Sequence, residues 1–283
     1  MSKPVYITSD STCDLTPELL ERFNIKIVPL HVVLGEETYL DCVEFTPEMI
    51  YERYAKDKTL PRTSAVSPQE FTDFFTPLVE AGYEVVFLSI SSGLSSTYQN
   101  AVIAAQDLPG VYPVDTLKLT TGVGQMLFAA CRMRDEGKDA ATIAQAMVEM
   151  IPRVNVSFVI DTLEYMQKGG RCTGVAAFGA NLLNLKPCIE MREGKLEVCK
   201  KYRGNIQKVY DKYITERLSS KPVCPDYIFI TTSVDPGPEL TKHLEEVVRA
   251  AVPEVKEVLF TRDGCTVVSY CGPGTLGVLF LEK

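Results

Sequence analysis

Histidine is nearly missing from this chain of 283 residues, which carries only His31 and His243. His31 falls in a strand-like run and His243 on an amphipathic helix beside Glu245 and Glu246, so the pair offers no shared metal site. No G-x-S-x-G elbow accompanies Ser91 or Ser92, which removes the usual serine hydrolase arrangement. The phosphate loop G-x-x-x-x-G-K-[ST] is absent as well. The nine cysteines are scattered from Cys13 to Cys271 and no two have C-x-x-C spacing, so zinc-ribbon and thioredoxin readings lack support. They read instead as small buried side chains in a reducing compartment. The sequence predicts no metal and no cofactor.

Positive charge is also short. Twenty-nine Lys and Arg against 37 Asp and Glu leave a net charge of -8, and no segment gathers a basic stripe. Nucleic acid and polybasic membrane attachment are disfavoured on that ground. No run approaches the roughly 20 apolar residues needed to cross a bilayer. Met1-Ser2-Lys3-Pro4-Val5-Tyr6-Ile7 passes straight into a strand-like segment without a signal-peptide core. The expectation is a cytoplasmic protein with no membrane-spanning segment.

What is present suits an ordinary globular protein: 46% hydrophobic and 23% charged residues. The length suits two domains. Thr16-Pro17-Glu18, Thr46-Pro47-Glu48 and Ser67-Pro68-Gln69-Glu70 each read as a helix start, the last with a full capping box. Strands are expected at 4–8, 25–33, 38–40, 85–90 and 111–114, and helices at 95–107, 121–135 and 140–150. Strands alternating with helices imply a mostly parallel sheet covered on both faces. After Pro152 the pattern changes to a strand at 154–160, a break at Gly169-Gly170-Arg171, and a hairpin turning at Glu193-Gly194. Helices at 206–218 and 239–251 follow, with strands at 227–231, 255–260, 266–269 and 276–281. The reading is therefore an α/β protein of two domains. Residues 1–152 form an α/β domain with helices on both faces of its sheet, and residues 153–283 a mixed α/β sheet domain.

Gly272-Pro273-Gly274-Thr275-Leu276-Gly277 matches G-x-G-x-x-G in letters, but no helix or βαβ unit follows it, so it is not a dinucleotide site. Its glycines suit close backbone approach to a ligand or strand. The stretch Ser91-Ser92-Gly93-Leu94-Ser95-Ser96-Thr97-Tyr98-Gln99 lies between a buried strand and a helix, with Ser96 and Gln99 in capping-box register. Two readings fit: serines that only cap and turn, or an anion site at a helix start beyond a strand's carboxyl end. Arg62-Thr63-Ser64 offers a second hydroxyl cluster.

Taken together, Asp10-Ser11-Thr12, Thr63-Ser64, the SSGLSSTYQ loop, Gly169-Gly170-Arg171, Leu185-Lys186-Pro187, Arg203 and the terminal GPGTLG resemble the DegV family, in order and over essentially the whole chain. The resemblance implies two α/β domains with a long-chain fatty acid between them, tail buried and carboxylate near the domain junction. It also implies a non-catalytic role, presenting the acid to a separate ATP-dependent fatty acid kinase subunit that makes the acyl phosphate. Carried over to this sequence, Thr63 and Ser95 supply hydroxyls to the carboxylate, with Ser64 and Gly272 beside them. Arg171 and Arg203 match arginines near the head group or the kinase-facing surface. Tyr270 stands where the family usually has a histidine, and a phenol stays neutral across physiological pH. Ala65-Val66 replaces a more polar pair. The apolar stretch from Val175 to Leu185, with Phe178, Leu182 and Leu183, is the candidate tail wall, though a core helix has the same composition. The alternatives are an enzyme acting on a small anionic or phosphorylated substrate in the interdomain cleft, and a protein-binding adaptor.

Overall fold

The computed structural model describes residues 3–173 and 185–283. The expected tail wall, apart from Leu185, lies outside the described residues. The first half builds a parallel sheet from β1 (Val5–Asp10), β2 (Ile25–Val28), β6 (Glu84–Ser89) and β7 (Val111–Asp115), in the order β2-β1-β6-β7. A small antiparallel sheet of β3 (His31–Leu34), β4 (Glu37–Leu40) and β5 (Arg62–Ser64) stands beside it, ordered β4-β3-β5. The expected single strand at 25–33 is thus two strands in two sheets. Pro29 explains the break, since it has no N–H to give a ladder.

Side-chain alternation along β6 shows that both faces of the parallel sheet are covered. Val85 and Phe87 pack with Phe71 and Phe75 of α3 (Pro68–Glu80) and with Ala101 and Ala104 of α4 (Thr97–Ala105). Val86 and Leu88 join Val123 and Met126 of α5 (Thr121–Asp135) and Ile143 and Met147 of α6 (Ala140–Met150). Two further helices, α1 (Pro17–Phe23) and α2 (Pro47–Asp57), begin at the Thr-Pro pairs. In α1 the Thr16 side chain accepts from Leu19 N, as a cap should, whereas Thr46 makes no such bond.

From Val154 the chain forms a seven-stranded mixed sheet. Its strands are β8 (Val154–Val159), β9 (Cys172–Thr173), β10 (Leu185–Arg192), β11 (Lys195–Arg203), β12 (Val223–Thr232), β13 (Glu257–Arg262) and β14 (Leu276–Glu282). Their order is β13-β12-β14-β8-β10-β11-β9. Helices α7 (Glu164–Gly169), α8 (Ile206–Ser219), α9 (Gly237–Ala251) and α10 (Cys265–Cys271) complete this half. The strand expected at 266–269 is instead the helix α10. Its β-branched residues favour a strand locally, but Gly264 and Gly272 bound the segment. Within it Cys265 to Ser269 are all buried, and Ser269 Oγ donates to Cys265 O. Packing against α7 and α2 overrides propensity here.

Helix α5 joins the two large sheets. Every residue from Thr121 to Cys131 is buried, and the helix packs against β1 and β6 on one side and β8, β12 and β14 on the other. One apolar cluster therefore runs from Ile7 and Val86 through Met126 to Phe158, Phe229 and Leu279. Among the described residues no helix is long and apolar enough to cross a membrane.

Candidate functional site

The carboxyl ends of β1 and β6 are tied by one buried carboxylate. Asp10 accepts hydrogen bonds from Thr12 N (3.1 Å), Thr12 Oγ1 (2.5 Å) and Ile90 N (2.8 Å). Burial pushes its carboxyl above the usual range despite these bonds. Asp10 thereby fixes the start of the serine loop at residues 91–96. Ser91 Oγ then donates to Gly194 O (2.7 Å) in the β10–β11 turn and accepts from Gly93 N (3.1 Å). The contact with that turn is close: a Cβ on Gly93 would stand 2.4 Å from Gly194 O. A local capping box at Ser96 is not what forms. Ser96 makes no side-chain cap bond. Ser95 does that work, its Oγ accepting from Thr97 N (3.3 Å) and lying 2.8 Å from Thr97 Oγ1.

A cavity of about 510 Å³ opens beneath this loop, between the parallel sheet, the small sheet and the mixed sheet. Its polar lining comes from Thr63 and Ser64 of β5, Ser92, Ser95 and Ser96 of the serine loop, Tyr270 of α10, and Arg171. Its apolar wall carries Leu30, Ile90, Leu94, Leu119, Phe158, Met166, Leu196 and Val267. This is the size and polarity division of a small-molecule site.

Tyr270 is held on three sides. Its hydroxyl lies 2.7 Å from Thr63 Oγ1, and the Arg171 guanidinium sits 5.1 Å from the ring centroid. Gly169 packs so closely that a Cβ there would stand 2.2 Å from Tyr270 Cδ1. Beyond the ring a groove of about 350 Å³ is lined by Arg62, Lys168 and Arg171 as well as Thr63 and Tyr270. The Thr63–Tyr270 pair is thus a partition, with an inner cavity on one side and a basic outer groove on the other.

Five of the sequence-predicted residues meet in this polar lining: Thr63, Ser64, Ser95, Arg171 and Tyr270. Arg203 does not join them. It is exposed at the end of β11, opposite Leu185, and is absent from the cavity lining. Gly272 caps α10 at φ +69° with its face against the Tyr165 ring, which a Cβ would approach to 2.6 Å. The close approach expected of that glycine is therefore to a side chain of the protein. His31 is engaged elsewhere, its Nε2 2.9 Å from Glu70 Oε1, and His243 pairs with Asp211 at 2.8 Å. No hydroxyl of the cavity has a histidine as its recorded hydrogen-bond partner among the described residues. A metal-capable group, Asp41, Cys42 and Cys265, lies outside the lining.

Sequence reasoning missed the apolar wall and the part played by Asp10. The wall draws one or two residues from each of several distant segments, so no local pattern marks it. Asp10 had a signal, an acidic residue in an Asp-Ser-Thr turn at a strand end, but nothing local named Ile90 as its partner.

The family model described as "Uncharacterised protein, DegV family" matches residues 4–283. A DegV domain-containing protein of Clostridium acetobutylicum is 30% identical, with 99% of each chain covered. Among solved structures, a DegV family protein from Thermus thermophilus, described for its fatty acid binding, superposes with a TM-score of 0.88 at 31% identity over 100% of both chains. DegV from Bacillus subtilis, described as a fatty acid binding protein, gives 0.83 at 27% identity, again over 100% of both chains. A stearic acid-binding protein from Eubacterium ventriosum gives 0.81 at 26% identity over 98% of both.

Proposed function

The chain belongs to the DegV family, and on that premise we propose that it binds one long-chain fatty acid and presents it to a separate ATP-dependent fatty acid kinase subunit. The observation that carries the reading is a cavity lined both by apolar side chains and by the hydroxyls of Thr63, Ser95 and Tyr270. The acyl tail lies along Leu30, Leu119, Phe158, Met166, Leu196 and Val267. Each methylene removed from water contributes about 0.8 kcal/mol, so the tail supplies most of the affinity. The hydroxyls give direction, each bond to the charged head contributing roughly 1.5–3 kcal/mol. Residues 1–152 and 153–283 act as two domains with the ligand between them.

This chain's own part is binding and orientation. Its head-group donors are neutral oxygens, which hold a carboxylate without taking its place as nucleophile. The outer groove favours presentation, because Arg62, Lys168 and Arg171 place positive charge beside the partition where a phosphate-bearing partner would dock. We place this activity in the cytoplasm, in line with nine free cysteines.

Native mass spectrometry of the purified chain tests the binding. A co-purified or added long-chain fatty acid should appear at one per chain, and a protein that takes up none sinks the reading. Acyl phosphate should form only when ATP and the kinase subunit are both supplied. Its formation by the chain alone would favour the enzyme reading instead.

A further inference from the structure

Three metal-binding side chains meet at the start of α10, outside the acyl cavity. Cys42 Sγ lies 3.9 Å from Cys265 Sγ and 3.3 Å from Asp41 Oδ1, and the three donor atoms all fall within 4.8 Å of one another. Two thiolates bound to one tetrahedral zinc at about 2.3 Å stand about 3.8 Å apart. The sulfur spacing matches that figure, whereas a disulfide would require about 2.0 Å. Gly264 packs closely on this group: a Cβ there would stand 3.1 Å from Cys42 Sγ, 3.1 Å from Asp14 Oδ1 and 3.4 Å from Asp41 Oδ1, so a side chain at this position would crowd the donors.

Each thiol has an oxygen acceptor, Cys42 Sγ donating to Asp41 Oδ1 (3.3 Å) and Cys265 Sγ to Phe45 O (2.9 Å), and a metal would take the place of both protons. Asp41 is 2% exposed and is aimed by two bonds, its Oδ2 accepting from Ser11 Oγ (2.8 Å) and its Oδ1 from Thr266 N (3.2 Å). Such outer contacts orient metal-binding carboxylates. Asp14 is 7% exposed, and its Oδ2 has no hydrogen-bond partner. Among the described residues neither Asp14 nor Asp41 forms an ion pair with Lys, Arg or His. Cys42 itself lines a cleft of about 570 Å³ together with Asp14 and Gly264, which gives an ion a route in.

We propose that Asp41, Cys42 and Cys265 form a site for a zinc-class divalent ion, with the fourth position left to water beside Asp14. On binding, the two thiol protons pass to solvent and both sulfurs bond the metal as thiolates. No electron transfer is involved. The ion would tie the turn after β4 to α10, the helix that carries Val267 and Tyr270 to the cavity. The site is independent of the fatty acid reading. The sequence did not announce it, because 223 residues separate the two cysteines and no short spacing links them.

The test is titration of the reduced, metal-free full chain with Co²⁺ and then Zn²⁺. One equivalent of Co²⁺ should give thiolate-to-cobalt charge-transfer absorption, and Zn²⁺ should abolish it with about two protons released per ion. Cys42→Ser removes a direct ligand at an exposed position, so it should weaken Zn²⁺ binding by at least the roughly 100-fold that loss of an outer-shell partner can cost. Its circular dichroism should remain that of the folded chain. Cys265→Ser should show the same loss. Absence of stoichiometric binding by the reduced wild type, or equal affinity in a folded Cys42→Ser variant, would overturn the site. So would a peptide map showing a Cys42–Cys265 disulfide in protein prepared with zinc and without oxidant.

Discussion

Thr63 and Tyr270 share a 2.7 Å hydrogen bond although 207 residues separate them, and that one bond joins the small antiparallel sheet to α10. It also lies in the polar lining of the cavity. A carboxylate arriving there meets two hydroxyls already aligned, each able to turn its proton toward the newcomer.

Tyr270→Phe keeps the ring between Gly169 and Arg171 and removes only the hydroxyl. Stability should change by no more than about 1 kcal/mol, while fatty acid affinity falls about tenfold or more. Thermal melting and displacement of a fluorescent fatty acid measure the two separately. Tyr270→His should make affinity depend on pH. An imidazole with its ordinary pKa of about 6.5 gains charge as pH falls, so binding should tighten from pH 8 to pH 6 in the variant and stay flat in the parent.

Thr63→Val and Ser95→Ala should separate two kinds of loss. Valine preserves the β-branched strand residue, so Thr63→Val should weaken ligand binding with little change in melting temperature. Ser95 also caps α4 through Thr97 N, so Ser95→Ala should cost about 1 kcal/mol of stability as well as affinity. Equal affinity in both variants and the parent would remove these residues from the site.

Gly169→Ala forces a methyl into the Tyr270 ring, 2.2 Å from Cδ1. The ring must move, taking its hydroxyl from Thr63. The expected outcome is a loss of affinity at least as large as that of Tyr270→Phe, with a stability cost of about 1–3 kcal/mol for overpacking. Calorimetric titration beside denaturant unfolding checks both.

Val267→Phe enlarges a buried residue of the apolar wall. It should reduce affinity for long acyl chains more than for short ones, shifting the preferred length downward in a chain-length series. A uniform loss across all lengths would place Val267 away from the tail.

Glu190 provides a control outside the cavity lining. Burial pushes its carboxyl up, but the Arg217 guanidinium at 3.1 Å, with Arg192 beside it, outweighs that and holds it below the usual range. A depressed acid contributes stability above its unfolded pKa of about 4.3, and loses it as pH falls through the folded value. Glu190→Gln should therefore destabilise the protein at pH 7 by about 1–3 kcal/mol. The difference from the parent should close below pH 4, and fatty acid affinity should not move.

Two of the long helices were legible: Thr121–Asp135 and Ala140–Met150 stand where the sequence predicts them, the second started by Asp139, whose side chain accepts from Thr142 N. The failures share one cause. The segment 266–269 has strand-like residues and is a helix because its neighbours in space demand one, and the 25–33 run divides because its halves serve different sheets. At the candidate site, the family resemblance picked out Thr63 and Ser95, because the hydroxyl clusters around them read equally well as caps and turns. Leu30, Leu119, Phe158 and Leu196 could not be picked out, since a residue facing a cavity obeys the same alternation as one facing a packed core.

The buried run of α5 has a mechanical consequence. Because that helix packs against both large sheets at once, parting them like a clamshell would strip its buried faces. On the proposed reading a lipid is therefore expected to thread in lengthwise, and its exchange should slow with each added carbon that must be drawn through.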